Sequence, residues 1–301
     1  MCWIPPAALC LTALVALVGC GFGPPAHGPL PPGITRQAVA NPELGQPPAH
    51  GNSPIELSYL RAGPTEAPRV IFVHGTPGDA TNYLAYLSDP PAQTQVFSID
   101  RPGFGQSPAD GDTSLTFAGQ AAAIAPLLVT HDGRPPILVG HSLGGPIVCR
   151  LAADYPDRVG GLVILAGSVD PQLEKPRWYN ILGAVPPLPW LIPRTWARAN
   201  DEVFAAPQQT RLLAQVLPQI RCPVVVVQGG KDRLVPAGNA DYIQTHLPNA
   251  SYIQVHRLPN AGHFLPWQHE DVVRNAIDEI FRLGSYSAPS PDPEPSAPSP
   301  A

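Results

Sequence analysis

The chain has 301 residues, is 44% hydrophobic and carries a formal net charge of −5, with 18 Lys+Arg against 23 Asp+Glu. That is enough apolar material for one large core or at most two modest ones. The charges are interspersed, without a basic run or stripe, which excludes nucleic acid as the expected partner.

The first element in chain order is an apolar run, Ala7 to Val18. At about a dozen residues it falls short of the roughly 20 that a membrane-spanning helix needs. It suits the hydrophobic region of a signal peptide, so residues 1–19 are read as one. The 42 prolines are unevenly spread, with two dense patches at Gly23–Pro48 and Ala288–Pro300. Residues 20–50, rich in Pro and Gly, are expected to form an extended linker. Residues 285–301 alternate Ser and Pro and are expected to stay disordered.

Between them, residues 51–284 alternate strand and helix signals. Strands are expected at Ile55–Leu60, Val70–Val73, Val96–Ile99, Ile137–Val139, Leu162–Leu165, Val224–Val227 and Tyr252–Val255. Helices are expected at Leu115–Val129, Leu143–Asp154, Ala237–His246 and Glu270–Phe281. Short β-branched runs bounded by Gly and Pro suit buried parallel strands, and alternation with helices predicts a mostly parallel sheet flanked on both faces. One interval breaks the rhythm. From about 168 to 221 there is no strand signal, but there are several prolines with Trp178, Tyr179, Trp190, Trp196 and Phe204. Some fifty residues exceed a plain crossover, so the interval is read as a helical cap over the carboxyl end of the sheet. Most of its aromatics are expected to form the core of that layer.

The chemistry begins at Gly140-His141-Ser142-Leu143-Gly144, directly after a predicted strand and opening a predicted helix. This is the nucleophile elbow, a turn so sharp that the positions two away from the serine must be small. It holds the Ser142 hydroxyl at a helix start, where backbone N–H groups favour developing negative charge. A serine hydroxyl needs a base to become a nucleophile. Of nine histidines, His263 in Asn260-Ala261-Gly262-His263 stands in the loop between the last strand and the last helix. Cys149 and Cys222 do not make a disulfide framework and read as buried small hydrophobes.

Together with Phe72-Val73-His74-Gly75-Thr76-Pro77-Gly78 and Gln228-Gly229-Gly230-Lys231-Asp232, these segments resemble the α/β-hydrolase superfamily, in particular its capped members with a His-Gly-x-Pro turn. The resemblance covers roughly residues 55–283. It implies that the backbone N–H groups of Thr76 and Leu143 form the oxyanion hole, that His263 is the general base, and that Asp232 orients it. Asp170 is the alternative acid position that some members use. His74 and the turn Asp100–Ser107 are taken as structural. Leu17-Val18-Gly19-Cys20 resembles the lipobox of bacterial lipoproteins, although no Lys or Arg precedes it. That implies a lipidated Cys20 and a domain held outward on a bacterial cell membrane.

The resulting expectation is a serine hydrolase, foremost a carboxylic-ester hydrolase on a small-molecule acyl substrate, needing no metal or organic cofactor. Amidases, aminopeptidases, carbon–carbon bond hydrolases and cofactor-free perhydrolases share the same triad. An aminopeptidase would want acidic residues near the cap for a substrate ammonium, and Glu174, Asp201 and Glu202 stand there beside several basic residues. A different class is a non-catalytic homologue that uses the cap pocket to bind a ligand. Oligomeric state is not legible in the chain.

Overall fold

A computed structural model describes residues 29–40, 56–109 and 113–284. The segment read as a signal peptide, Cys20, and the tail 285–301 lie outside the described residues.

Eight strands form one sheet: β1 Thr35–Ala40, β2 Glu56–Ala62, β3 Arg69–Val73, β4 Gln95–Ile99, β5 Ile137–His141, β6 Gly161–Leu165, β7 Val224–Gly229 and β8 Ile253–Leu258. Their spatial order is β1-β2-β4-β3-β5-β6-β7-β8. From β4 to β8 every pairing is parallel, while β1·β2 and β2·β4 are antiparallel. Alternate side chains of each central strand enter two different cores. Ile71, Val73, Leu138, Ile164 and Val226 join one, with residues of helices α2 (Phe117–Ile124), α3 (Gly144–Asp154) and α7 (Gly238–His246). Val70, Phe72, Val139, Val163 and Val225 join the other, with α1 (Leu84–Ser88) and α9 (Glu270–Gly284). Burial on both faces is why these strands read as continuous apolar runs rather than as alternation.

The interval after β6 is helical, as expected: α4 (Trp178–Gly183), α5 (Leu188–Leu191) and the long α6 (Arg194–Ala214). Its packing differs from the expectation. Trp178, Trp190 and Leu191 are 70%, 79% and 73% exposed, so they do not form the core of a small layer. Only α6 is seated deeply, burying Ala199, Glu202, Ala206, Thr210 and Leu213. A layer one helix thick has no second apolar face to receive the side chains of α4 and α5.

A second correction concerns the linker. Thr35–Ala40, inside the stretch 20–50, pairs residue for residue with β2 and forms the edge of the sheet. The Arg36 guanidinium pairs with the fully buried Asp100 carboxylate and donates to Ser58 Oγ at 2.8 Å. Ile34, buried, and Leu30 pack into the second core. Half its residues are polar because one side of an edge strand stays open to solvent. The expected helix Leu115–Val129 is also shorter. It divides into single turns at Thr113–Leu115 and Ala125–Leu127 around α2, the latter carrying Pro126.

Candidate active site

The β5–α3 junction brings Ser142 to the carboxyl edge of the sheet with φ at +54°, a left-handed conformation that costs a non-glycine residue about 1–3 kcal/mol. The flanking glycines make that turn possible. A Cβ on Gly140 would lie 2.5 Å from the Gly144 carbonyl oxygen, and one on Gly144 would lie 2.2 Å from the Val73 oxygen. The turn is held from below, since Ser142 N–H donates to Leu165 O at 2.9 Å while its carbonyl accepts from Gly145 and Ser168 N–H.

The turn after β3 lies against this hydroxyl. A Cβ on Gly75 would stand 2.8 Å from Ser142 Cβ and 3.3 Å from Ser142 Oγ. The next residue is Thr76. Among the described residues, neither Thr76 N–H nor Leu143 N–H donates to another backbone or side-chain group. These are two unspent donors on residues next to Gly75 and Ser142, the kind of group that can receive a developing negative charge.

The loop after β8 supplies His263, whose ring is 8% exposed and whose Nδ1–H donates to Asp232 Oδ2 at 2.8 Å. That hydrogen bond leaves Nε2 as the basic nitrogen. Asp232 stands after β7 with its side chain fully buried, and its other oxygen accepts from the N–H groups of Leu234 (2.8 Å) and Val235 (2.9 Å). Three donors keep the carboxylate satisfied out of water. Asp170, the other candidate acid, turns its carboxylate back onto Gln172 N–H at 2.8 Å. It serves its own turn.

His141 was overlooked in the sequence, hidden as the variable position of the elbow. Its Nε2 donates to the backbone oxygen of His263 at 3.0 Å, and the two rings lie 4.7 Å apart. Burial, and next the neighbouring His263, push the His141 pKa down to about 3, so this imidazole stays neutral. The strand leading to Ser142 is thereby tied to the loop that carries His263. Trp267 on α8 (Leu265–Gln268) closes the edge, its ring 5.3 Å from His141 and its Nε1–H donating to Asn82 O at 2.8 Å.

Of the cap acids, Glu202 is unavailable to an ammonium: its carboxylate is 1% exposed and bound by Arg101 and Gln120. Burial raises the Glu174 carboxyl from its ordinary value. Cys149 and Cys222 are free and buried, and burial raises both thiols, Cys222 to about 12.

Known proteins extend this picture. The chain is 26% identical over 268 residues to the mouse (Mus musculus) sn-1-specific diacylglycerol lipase ABHD11, covering 75% of this chain and 84% of that one. It is 24% identical over 260 residues to a 2-hydroxy-6-oxononadienedioate/2-hydroxy-6-oxononatrienedioate hydrolase of Burkholderia vietnamiensis, covering 71% and 86%. A thermophilic esterase structure from Thermogutta terrifontis superposes with a TM-score of 0.61 at 22% identity, covering 83% of this chain and 99% of that one, a likeness of fold. The sequence pattern of the alpha/beta hydrolase family matches residues 70–276, from the second residue of β3 into α9. The chain is a member of the alpha/beta hydrolase family and a hydrolase.

Proposed function

We propose that the protein is a serine hydrolase that cleaves carboxylic esters through an acyl-enzyme on Ser142. The observation that carries this reading is the Asp232–His263 hydrogen bond of 2.8 Å, on the loops beside a strained Ser142. His263 Nε2 takes the hydroxyl proton as Ser142 Oγ attacks the ester carbonyl. Asp232 holds the ring in the required tautomer and stabilises the imidazolium. The backbone N–H groups of Thr76 and Leu143 bind the tetrahedral oxyanion. His263 then protonates the departing alcohol, and water, activated by the same imidazole, releases the acid. No step calls on a metal or an organic cofactor.

An ester is favoured over an amino-terminal peptide because Glu202, one of the three cap acids, is committed to Arg101 and closed to a substrate ammonium. The carbon–carbon bond hydrolase named for the Burkholderia relative is the second reading, since the same oxyanion site serves it. A fluorophosphonate probe should label the wild type and not Ser142→Ala. Absence of label on the wild type would make the protein a non-catalytic binder. A panel of p-nitrophenyl esters beside amino-acid anilides and a vinylogous diketone then ranks the substrates, and faster turnover of either non-ester class would overturn the ester assignment.

The location is part of the same proposal. Lipid on Cys20, after removal of residues 1–19, would tether the domain to the outer face of a bacterial membrane. Two or three acyl chains anchor stably where one binds marginally. Uptake of an alkyne fatty acid by the wild type and not by Cys20→Ser tests it, and an unlabelled wild type refutes it.

A further inference from the structure

A buried polar network lies behind the turn that carries Thr76. Arg101, just after β4, has a fully buried side chain, and its partner Glu202 on α6 is 1% exposed. Nη1 donates to Glu202 Oε1 at 2.6 Å and to Gln120 Oε1 at 2.7 Å. Nη2 donates to Glu202 Oε2 at 3.0 Å and to the Gly75 carbonyl oxygen at 2.8 Å. His74 completes the arrangement. Its Nε2 accepts from Arg101 N–H at 3.1 Å, and Nδ1 lies 2.7 Å from the same Gly75 oxygen, which only accepts; the ring hydrogen is therefore on Nδ1, and the 3.3 Å approach of Arg101 Nε to Nδ1 is a contact and not a hydrogen bond. Burial, and then the Arg101 charge, hold His74 well below the ordinary histidine range, so the ring is neutral with that single hydrogen.

Gly75 O therefore takes two donors, one of them cationic. This oxygen and Thr76 N are the two ends of one peptide group. Resonance across that group means that drawing electron density onto the oxygen makes the N–H a stronger donor. The orientation matters as much. A peptide next to glycine rotates easily, and a half-turn would aim the carbonyl at Ser142 in place of the N–H. Two donors on the oxygen oppose that rotation. A buried ion pair is poor value as a stabiliser, because desolvation offsets its attraction. Its link to the Gly75 oxygen points to a task other than stability.

We propose that Arg101 is a positioning residue for the oxyanion hole, acting through the Gly75–Thr76 peptide, and that Glu202 makes the cap helix α6 part of that hole. The proposal rests on the serine-hydrolase reading of Ser142. Its consequence is that α6 is the fixed member of the cap. Moving it would leave Arg101 buried without its counter-charge.

The experiment compares wild type, the charge-free pair Arg101→Met with Glu202→Met, and Arg101→Lys, using p-nitrophenyl butyrate and an alkyl trifluoromethyl ketone. The ketone adds to Ser142, and ¹⁹F NMR reads the pKa of the resulting hemiketal hydroxyl, which an intact oxyanion hole lowers. Folding is checked by circular dichroism and thermal melting. Loss of one oxyanion donor costs roughly 10²–10³ in kcat, so weakened positioning should cost the Met pair roughly tenfold to a hundredfold. The loss should fall on kcat with KM little changed, and the hemiketal pKa should rise by about one unit. Arg101→Lys, which keeps the charge and loses the fork, should fall between. If folded variants keep wild-type kcat and hemiketal pKa, the role of Arg101 is refuted while Ser142 stands. A wild type that forms no hemiketal refutes the Ser142 reading itself. Should the Met pair fail to fold, Arg101→Lys alone decides, since an unchanged kcat and hemiketal pKa there overturn the proposal.

Discussion

Replacing Gly75 by alanine places a single methyl group against the reacting hydroxyl. The added carbon would sit 2.8 Å from Ser142 Cβ, 3.2 Å from His141 O and 3.3 Å from Ser142 Oγ. Carbon atoms rest at roughly 3.5–4.0 Å, so the two turns must separate by about 0.7–1.2 Å. Neither can yield as a flexible side-chain tip would, because His141 O is backbone and Ser142 Cβ is one bond from it. Gly75 is not among the glycines with positive φ, so alanine fits its backbone and the effect is steric. A displacement of about 1 Å at the reacting centre costs on the order of a hundredfold, while the overpacking should cost about 1–3 kcal/mol of stability. The control is Gly262→Ala, next to His263, where an added Cβ meets nothing within 4 Å and φ is not positive. The assay is kcat/KM on p-nitrophenyl butyrate, with the fluorophosphonate labelling rate and a melting curve beside it. Gly75→Ala should lose about two powers of ten and Gly262→Ala less than about twofold. A folded Gly75→Ala within threefold of wild type, or an equal loss in the control, refutes the placement of Gly75 against Ser142.

Ser142→Gly should abolish hydrolysis and yet raise stability by about 1 kcal/mol or more, because glycine accepts φ of +54° without strain; a lowered melting temperature would contradict this. Asp232→Asn should lower kcat by about 10⁴ and Asp170→Asn by less than threefold, and steady-state kinetics giving the reverse order would move the acid to the earlier position. His141 has a folded pKa of about 3, and His74 is lowered too, so below about pH 6.5 the unfolded chain binds protons that the folded one refuses. Stability from these groups is therefore present above that pH and lost as pH falls, by up to about 1.4 kcal/mol per unit for each histidine. Urea midpoints between pH 6.5 and 4 measure it, and His141→Gln should flatten the slope. Trp190→Ala should change stability by less than about 0.5 kcal/mol, since the ring is 79% exposed, and a drop of 2 kcal/mol would mean that it is buried after all.

How legible these features are in the sequence depends on how local their causes are. The elbow can be read because the crowding at Gly140 and Gly144 comes from residues only a turn away or on the adjacent strand. The central strands can be read because burial on both faces makes them short, largely apolar runs. Thr35–Ala40 cannot, since an edge strand with Arg36 and Gln37 has the composition of a loop until its partner is known. The cap shows a different limit. Tryptophans signal burial only where a second layer exists to receive them, and α4 and α5 have none. The network behind Thr76 joins Gly75, Arg101, Gln120 and Glu202, with Arg101 and Glu202 101 positions apart, and no spacing rule links them. In the sequence Glu202 passes for a free acid on the cap.

The first strand also decides which way the enzyme would face if anchored. β1 starts beside Arg61 and ends beside Glu56, and β2 in turn runs against β4, so the chain enters the sheet at the end opposite Ser142. Leu30 already packs on the domain, which leaves only residues 21–29 between it and Cys20. Nine residues can span at most about 32 Å whatever their conformation, too little to wrap a domain of more than two hundred residues and turn it over. A lipid on Cys20 would hold the protein by the amino edge of its sheet, close to the bilayer, with Ser142 directed away from it. Substrate would then arrive from the surrounding solution or wall, and lipids of the anchoring membrane would lie out of reach.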